Sequence, residues 1–163
     1  MIDSLQDFVS SLPPALQGLA VIAAGAIPFV ESYFGTVIGI VVGLSPPVAV
    51  MAAATGNIAS MLVLVLGADN MRRKLAGAPD EHAPATALSP RRRRIRRWFH
   101  RYGVPGVSLL GQTMLPSQIT SAALVSFGAR RRAVIFWQII SIVLWGTIFA
   151  TLATLGVDLL GDG

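Results

Sequence analysis

The chain has 163 residues, of which 53% are hydrophobic and only 13% are charged, and its mean hydropathy is +0.66. An ordinary soluble domain carries about 25% charged residues, so a water-soluble fold would have too little polar surface to cover this much apolar material. The net charge is +5 and there are no cysteines, which excludes disulfides, thiolate catalysis and cysteine-based metal sites.

The chain starts with a short acidic segment. Asp3 and Asp7 lie in it without any Lys or Arg, so it lacks the positive region of a cleaved signal peptide and we expect the whole chain to be mature. The apolar residues of positions 1–12 fall on one helical stripe, which predicts a short helix lying on the membrane surface. A frayed terminus is the alternative.

Two long apolar stretches are continuous. Pro46–Leu66 covers 21 residues, enough for the roughly 20 residues that a spanning helix requires. Ala133–Gly156 is the second continuous stretch. Both are predicted to be transmembrane helices.

Regions 15–44 and 104–127 are also apolar, but proline and polar residues break each of them near its middle. Each broken region precedes a full span. Pro28 and Pro116 mark corresponding breaks, which gives the two halves an offset of about 88 residues. This pattern predicts an internal repeat of the kind found in transporters.

The positions of the basic residues distinguish two topologies. Ten of the thirteen Lys and Arg residues lie within 72–102, and Arg130, Arg131 and Arg132 are the other three. If both broken regions crossed the membrane, the second group would lie opposite the first, against the positive-inside rule. If both are re-entrant hairpins, every basic residue falls on one face.

We therefore predict an all-α integral membrane protein whose inverted repeat is a re-entrant helical hairpin followed by a transmembrane helix. The tips would reach the membrane midplane, where non-helical backbone is tolerated only inside protein or beside water, so they indicate the working site. The membrane is expected to be a bacterial-type plasma membrane, with both termini external. The single domain 1–163 would comprise an amphipathic segment 1–14, a first repeat 15–67, a basic cytoplasmic loop 68–103, a second repeat 104–157 and a tail 158–163.

Glu31 is the only acidic residue inside an apolar segment. An intramembrane carboxylate is a functional hypothesis by default because burying its charge is costly. Burial favours the protonated form, which makes Glu31 a candidate proton carrier. The alternative role is structural: the carboxyl group would bind unpaired backbone amides at the hairpin tip.

The second break contains neutral hydrogen-bonding side chains and no charge. Such residues either line a polar site or satisfy nearby backbone groups, and Asn57 in the first span is equally ambiguous. The candidate coupling or substrate-binding residues are Glu31, Pro28, Asn57, Gln112, Thr113, Pro116, Gln118 and Thr120.

The run RRRRIRRWFHRY, residues 91–102, combines arginines with aromatic residues. This composition can bind nucleic acid, but beside a membrane it is expected to contact anionic lipid headgroups and fix orientation. We expect no nucleic-acid partner. The residues predicted to contact anionic lipid are Arg91, Arg92, Arg93, Arg94, Arg96, Arg97, Arg101, Arg130, Arg131 and Arg132.

The sequence contains no Gly-rich phosphate loop, Ser/His/Asp set or paired carboxylates. His82 and His100 lack acidic partners at ligand spacing, so no metal site is predicted. We expect no enzymatic activity and no cofactor. Two hairpins and two spans are few helices to enclose a sealed transport pathway. A homodimer or larger homo-oligomer is therefore expected.

From about Ile22 to Val157 the chain resembles the small multidrug export protein family, which is similar in layout to the DedA membrane proteins. The first half carries the resemblance in AIPFVESYFG, Ala26–Gly35, where Pro and Glu match the family pattern. The second half carries it in Gly111 with Pro116, in Trp145-Gly146 and in Gly156.

The resemblance implies opposed re-entrant hairpins and a proton-linked or lipid-translocating function. DedA-like proteins are associated with moving the polyprenyl-phosphate carrier lipid or other phospholipids. Their patterns place arginines beside the second-tip proline, whereas this chain has Gln112 and Gln118, which weakens the case for a phosphate-bearing substrate. Tyr33 also stands where the export family is often basic.

The sequence thus favours a small transporter: a proton-coupled multidrug exporter or lipid translocase with its substrate site between opposed hairpin tips. Its partners would be membrane lipids and a hydrophobic or amphipathic substrate. One alternative is a non-transporting membrane scaffold that binds anionic lipid or a protein partner. Another is a four-span transporter of the small multidrug resistance type, with one essential membrane glutamate.

Overall fold

A computed structural model describes the backbone of residues 2–75, 90–112 and 115–161, and side chains within 4–67, 93–112 and 115–156. Residues 76–89 of the predicted basic loop, and the candidate site residue Thr113, lie outside the described residues. The described residues form helices, with no strand among them. The helices are α1 Ile2–Ser11, α2 Pro14–Gly25, α3 Glu31–Val41, α4 Pro46–Leu75, α5 Pro90–Gly111, α6 Ser117–Ser126 and α7 Arg131–Gly161.

Helices α4 and α7 each contain a segment long and apolar enough to cross a membrane. The segments are Pro46–Gly67, of 22 residues, and Arg131–Gly156, of 26 residues. At 1.5 Å rise per residue they extend roughly 33 and 39 Å, more than the roughly 30 Å of a hydrocarbon core. Both predicted spans are confirmed as helices of sufficient length, the second starting two residues earlier than expected.

The first broken region forms two short helices that pack against each other, α2 with 12 residues and α3 with 11. Each extends less than about 20 Å, so neither is long enough to cross a hydrocarbon core alone. Pro14 opens α2, where its missing N–H costs nothing. The break between the helices falls at residues 26–30, as the sequence predicted.

Helix α1 confirms the predicted N-terminal helix and shows where part of its apolar stripe is buried. Val9 is fully buried in a cluster with Val21, Val30 and Ile38 of the α2–α3 pair. Phe8 is exposed. The helix is therefore held by side-chain packing against α2 and α3.

The chain forms two compact units. Unit 1 consists of residues 1–60 and 141–163, and unit 2 of residues 61–140. Unit 1 contains α1, α2, α3, the first half of α4 and the C-terminal part of α7, whereas unit 2 contains α5, α6 and the remaining parts of α4 and α7. Unit 1 thus contains the α2–α3 pair and unit 2 the α5–α6 pair, and each unit also contains a part of both long apolar helices, α4 and α7.

Small residues bring α2, α3 and α4 into close contact within unit 1. A Cβ on Gly25 would overlap the backbone of Ala53, and one on Gly56 would overlap the carbonyl oxygen of Ile22. A Cβ on Gly35 would lie 3.0 Å from that of Ala53. Without side chains at these positions the backbones can approach closely, as is typical of helix contacts in membranes.

In unit 2, a kink divides α5. Gly103 has φ 64° and ψ −169°, a conformation that glycine adopts most readily, and Pro105 lies at the start of the following helical segment, where proline fits well. The basic residues up to Tyr102 precede the kink. The apolar segment 104–111 follows it and packs against α6.

The halves correspond at an offset of 85, not the 88 inferred from Pro28 and Pro116. Helices α4 and α7 start at Pro46 and Arg131, and α3 and α6 end in the same glycine turn. Gly43 has φ 97° and Gly128 has φ 94°. In each turn the next amide bonds back to a helix carbonyl, Leu44 to Gly39 and Ala129 to Leu124, which is a Schellman motif.

Candidate functional site

Glu31 is fully buried at the start of α3, directly after the tip that joins α2 and α3. Its φ is 53°, and Phe29 in the same tip has φ 73°. Left-handed backbone costs a non-glycine residue roughly 1–2 kcal/mol and is concentrated at functional sites. A buried carboxyl group on a strained tip is therefore the strongest candidate for a functional group in unit 1.

The backbone of this tip is largely satisfied by itself. The amide of Ile27 donates to the Ala24 carbonyl, and the amides of Val30 and Glu31 both donate to the Ile27 carbonyl. Val30, the N-cap residue of α3, makes no side-chain capping hydrogen bond. Because these three amides already have acceptors, they do not need the carboxyl group of Glu31. A role for that group in binding unpaired tip amides would therefore have to involve other amides. Pro28 is exposed and supplies no amide hydrogen.

Other polar residues of α3 face α7 within unit 1. The hydroxyl of Ser32 donates to the carbonyl of Ile142 at 2.8 Å. A Cβ on Gly146 would lie 3.6 Å from both Ser32 Cβ and Thr36 Oγ1, so α7 passes close to this face of α3. Asn57, on α4, is also fully buried.

An aromatic cluster, not predicted from the sequence, joins α3 to the C-terminal part of α7. The Tyr33 and Phe149 ring centroids are 5.2 Å apart, and those of Phe34 and Phe149 are 5.8 Å apart. Trp145 lies one helical turn before Phe149, with centroids 6.3 Å apart. The i, i+4 spacing of Trp145 and Phe149 already indicates in the sequence that they lie on one face of a helix. Their aromatic partners on α3 are visible only in the tertiary structure.

The second tip and α6 place a set of uncharged polar side chains inside unit 2. Gln112, Gln118 and Thr120 are buried, and Pro116 is the N-cap residue of α6. Gln138 of α7 is also fully buried. The buried polar residues of unit 2 are Ser108, Gln112, Ser117, Gln118, Thr120, Ser121 and Gln138.

The basic segment before the Gly103 kink presents arginines to its surroundings. Arg93, Arg97 and Arg101 are exposed and follow one another at i, i+4 and i+8, which places them on one helix face. Ile95 is 3% exposed and anchors another face. Arg94, Arg130 and Arg132 are exposed, Arg96 and Arg131 are partly buried, and the side chains of Arg91 and Arg92 lie outside the described residues.

The part of the chain that the structure describes contains no group of three His, Asp or Glu residues arranged to hold a metal ion. Among the described residues, the arrangement instead offers one buried acidic group, Glu31 in unit 1, and several buried amides and hydroxyls in unit 2. These can exchange a proton and form neutral hydrogen bonds, respectively.

No protein-family model matches the chain, and no curated protein or solved structure matches it either. The two long apolar helices and the two pairs of short ones define it as an all-helical chain with two candidate membrane spans.

Proposed function

We propose that the chain is a small proton-coupled membrane transporter that exports hydrophobic or amphipathic molecules or translocates lipids. The observation that carries this proposal is Glu31, a fully buried carboxyl group at a strained tip between two short helices. In a medium of low dielectric, the charged and neutral forms of such a group favour different surroundings. Protonation can therefore be coupled to a change in the tip.

Exposed apolar side chains support placement in a membrane. Met51 and Val63 on α4 are 70% and 69% exposed, and Phe136 and Leu152 on α7 are 58% and 59% exposed. A soluble protein rarely exposes large contiguous apolar surface, whereas lipid tails solvate such side chains readily. The basic loop would then lie on the cytoplasmic face of a bacterial-type plasma membrane.

The lengths of the short helices support re-entrant hairpins. Helices α2 and α3 are each too short to cross the hydrocarbon core, and so are α6, with 10 residues, and the apolar part of α5. Irregular backbone at the two tips would then lie at membrane depth, where it is tolerated only inside protein or beside water. This arrangement weighs against the four-span alternative.

The test is coupled transport in proteoliposomes. With the purified chain in vesicles that contain a pH-sensitive dye, an uncharged fluorescent amphiphile, either a short-chain diacylglycerol or a short-chain ceramide, should drive proton movement as it crosses. Glu31→Gln should abolish this proton movement because the amide cannot exchange a proton. The matched control is Asp7→Asn, which removes a carboxyl group that is exposed on α1.

Proton movement that is undiminished in Glu31→Gln would overturn the coupling. Absence of transport by the wild-type chain for both probes would favour a non-transporting membrane scaffold. The exposed arginines of α5 support that second candidate, because they suit an anionic lipid surface. A scaffold would bind such vesicles while moving nothing across them.

A further inference from the structure

Unit 2 departs from unit 1 at a place where the repeat leads us to expect tight packing. In unit 1 a Cβ on Gly35 would lie 3.0 Å from the Cβ of Ala53 and 3.3 Å from the Cα of Gly25. These three small residues leave no space between α2, α3 and α4.

The corresponding residues of unit 2 are larger and polar. The offset of 85 pairs Gly35 with Thr120 and Ala53 with Gln138. Gly25 and Gly111, the last residues of α2 and α5, correspond at an offset of 86. A Cβ on Gly111 would lie 3.2 Å from Thr120 Cγ2, so this pair is in contact as Gly25 and Gly35 are. By the same offset, Gln138 of α7 is the counterpart of Ala53, so the repeat leads us to expect it beside this pair.

The polar atoms at this place are buried without hydrogen-bond partners. Gln112 is 4% exposed, Thr120 1% and Gln138 0%. Neither side-chain polar atom of Gln112 or Gln138, nor Thr120 Oγ1, is hydrogen-bonded to any residue that the structure describes. Leaving such groups unsatisfied costs several kcal/mol in an apolar medium, and an orphaned polar group in a native protein requires an explanation.

The composition of the cluster restricts what it can bind. Two primary amides and a hydroxyl both donate and accept hydrogen bonds. All the buried polar residues of unit 2 in the described part of the chain are uncharged. A charged ligand would therefore be desolvated there without an opposite charge, which is strongly unfavourable.

We infer that Gln112, Thr120 and Gln138 form a binding site for the uncharged polar group of an amphiphile, such as a hydroxyl or an amide. This inference rests on the proposed transport function and specifies its substrate class. The ligand's apolar part would remain in the surrounding hydrocarbon, while its polar group satisfies the orphaned amides. A single lost hydrogen bond in such a site should weaken binding about tenfold.

The test measures binding, not transport. The full chain is unfolded thermally in a zwitterionic detergent, whose charged headgroup should not compete for the site. Increasing amounts are added of three probes that share the same chains: dioctanoylglycerol, dioctanoyl phosphatidic acid and dioctanoyl trimethylammonium propane. Ligand binding to the native state raises the unfolding temperature in a concentration-dependent way. Only dioctanoylglycerol should raise it, because only its polar group is uncharged.

Two variants examine the site. Gln138→Leu and Thr120→Val should each weaken dioctanoylglycerol binding about tenfold, while the unliganded protein loses no stability because an orphaned polar group has been removed. The matched control is Thr36→Val in α3, which removes another buried hydroxyl without a partner among the described residues. It should leave the affinity unchanged.

Equal stabilisation by the charged probes would overturn the inference. So would unchanged affinity in both variants, or a Gln138→Leu protein that loses stability and keeps its affinity, since the amide would then be structural only. Glu31→Gln should bind dioctanoylglycerol normally. Undiminished proton movement in Glu31→Gln would therefore count against the proton mechanism alone, whereas the dioctanoylglycerol measurements test this site alone.

Discussion

Phe29 and Glu31 are the non-glycine residues with positive φ among those that the structure describes, and they lie two positions apart in one tip. The strain at Glu31 accompanies a buried acid, and we expect it to be linked to function. Phe29 differs from Glu31 because its side chain is 53% exposed and only partly packed against the rest of the protein. Its backbone strain can therefore be tested separately.

Phe29→Gly should stabilise the protein by about 1 kcal/mol. Glycine relieves roughly 1–2 kcal/mol of left-handed strain and loses part of that gain through its greater freedom in the unfolded chain. The control is Ile27→Gly in the same tip, 39% exposed and without positive φ, which should destabilise the protein by a similar amount. Thermal unfolding in detergent measures both. If Phe29→Gly lost as much stability as Ile27→Gly, the backbone of Phe29 would not be strained.

Helix α4 shows how one helix uses glycine in two ways. Gly56 lies where a Cβ would overlap the Ile22 carbonyl, whereas no atom of the described residues lies within 4 Å of a hypothetical Cβ on Gly67. The first glycine allows α2 to approach, and the second packs against none of the described residues. The sequence alone does not distinguish these two glycines, because both lie in one apolar run. The backbone that contacts Gly56 belongs to Ile22, which is far away along the chain.

Gly56→Ala should destabilise the protein by about 1–3 kcal/mol or more, because the added methyl group meets backbone that cannot rotate away. Gly67→Ala, on the same helix, should stabilise it by up to about 1 kcal/mol through helix propensity. Unfolding midpoints of the two variants should therefore shift in opposite directions. Equal shifts would show that α2 and α4 do not make this close contact.

At the scale of the whole molecule, the order of elements repeats: two short helices, a glycine turn with the same hydrogen bonds, and a long apolar helix. Two turn glycines of nearly identical φ, each followed three residues later by the start of a long helix, support one structural plan used twice. Ser45 and Arg130 are equivalent positions in these turns, at the offset of 85, and both are exposed. They are suitable positions for testing the proposed topology.

Single cysteines at Ser45, Asp80 and Arg130 are informative because the chain has no native cysteine. For re-entrant hairpins, a membrane-impermeant thiol reagent applied to intact cells should label Ser45→Cys only, since the other two positions would be cytoplasmic. The same reagent should reach all three after permeabilisation. Labelling of Ser45→Cys and Arg130→Cys together from outside would instead establish four spans.

The continuous stretches and the breaks between short helices were readable from the sequence because apolar run length reports directly on helix length. The offset of 88 was wrong because it assumed that the two prolines are equivalent. The turns after α3 and α6 align at 85, which pairs Pro116 with Glu31. Proline marks a break in a helix but does not fix where within an irregular tip the break falls.

By itself, the sequence determined the all-helical character, the two candidate spans and the isolation of one acid in apolar surroundings, since these depend on local composition and spacing. Only the tertiary structure decided that Gly25, Gly35 and Ala53 pack without space, and that Gln112, Thr120 and Gln138 are buried without partners. Contacts of this kind join segments far apart in the chain, and burial follows from what those segments place around each residue.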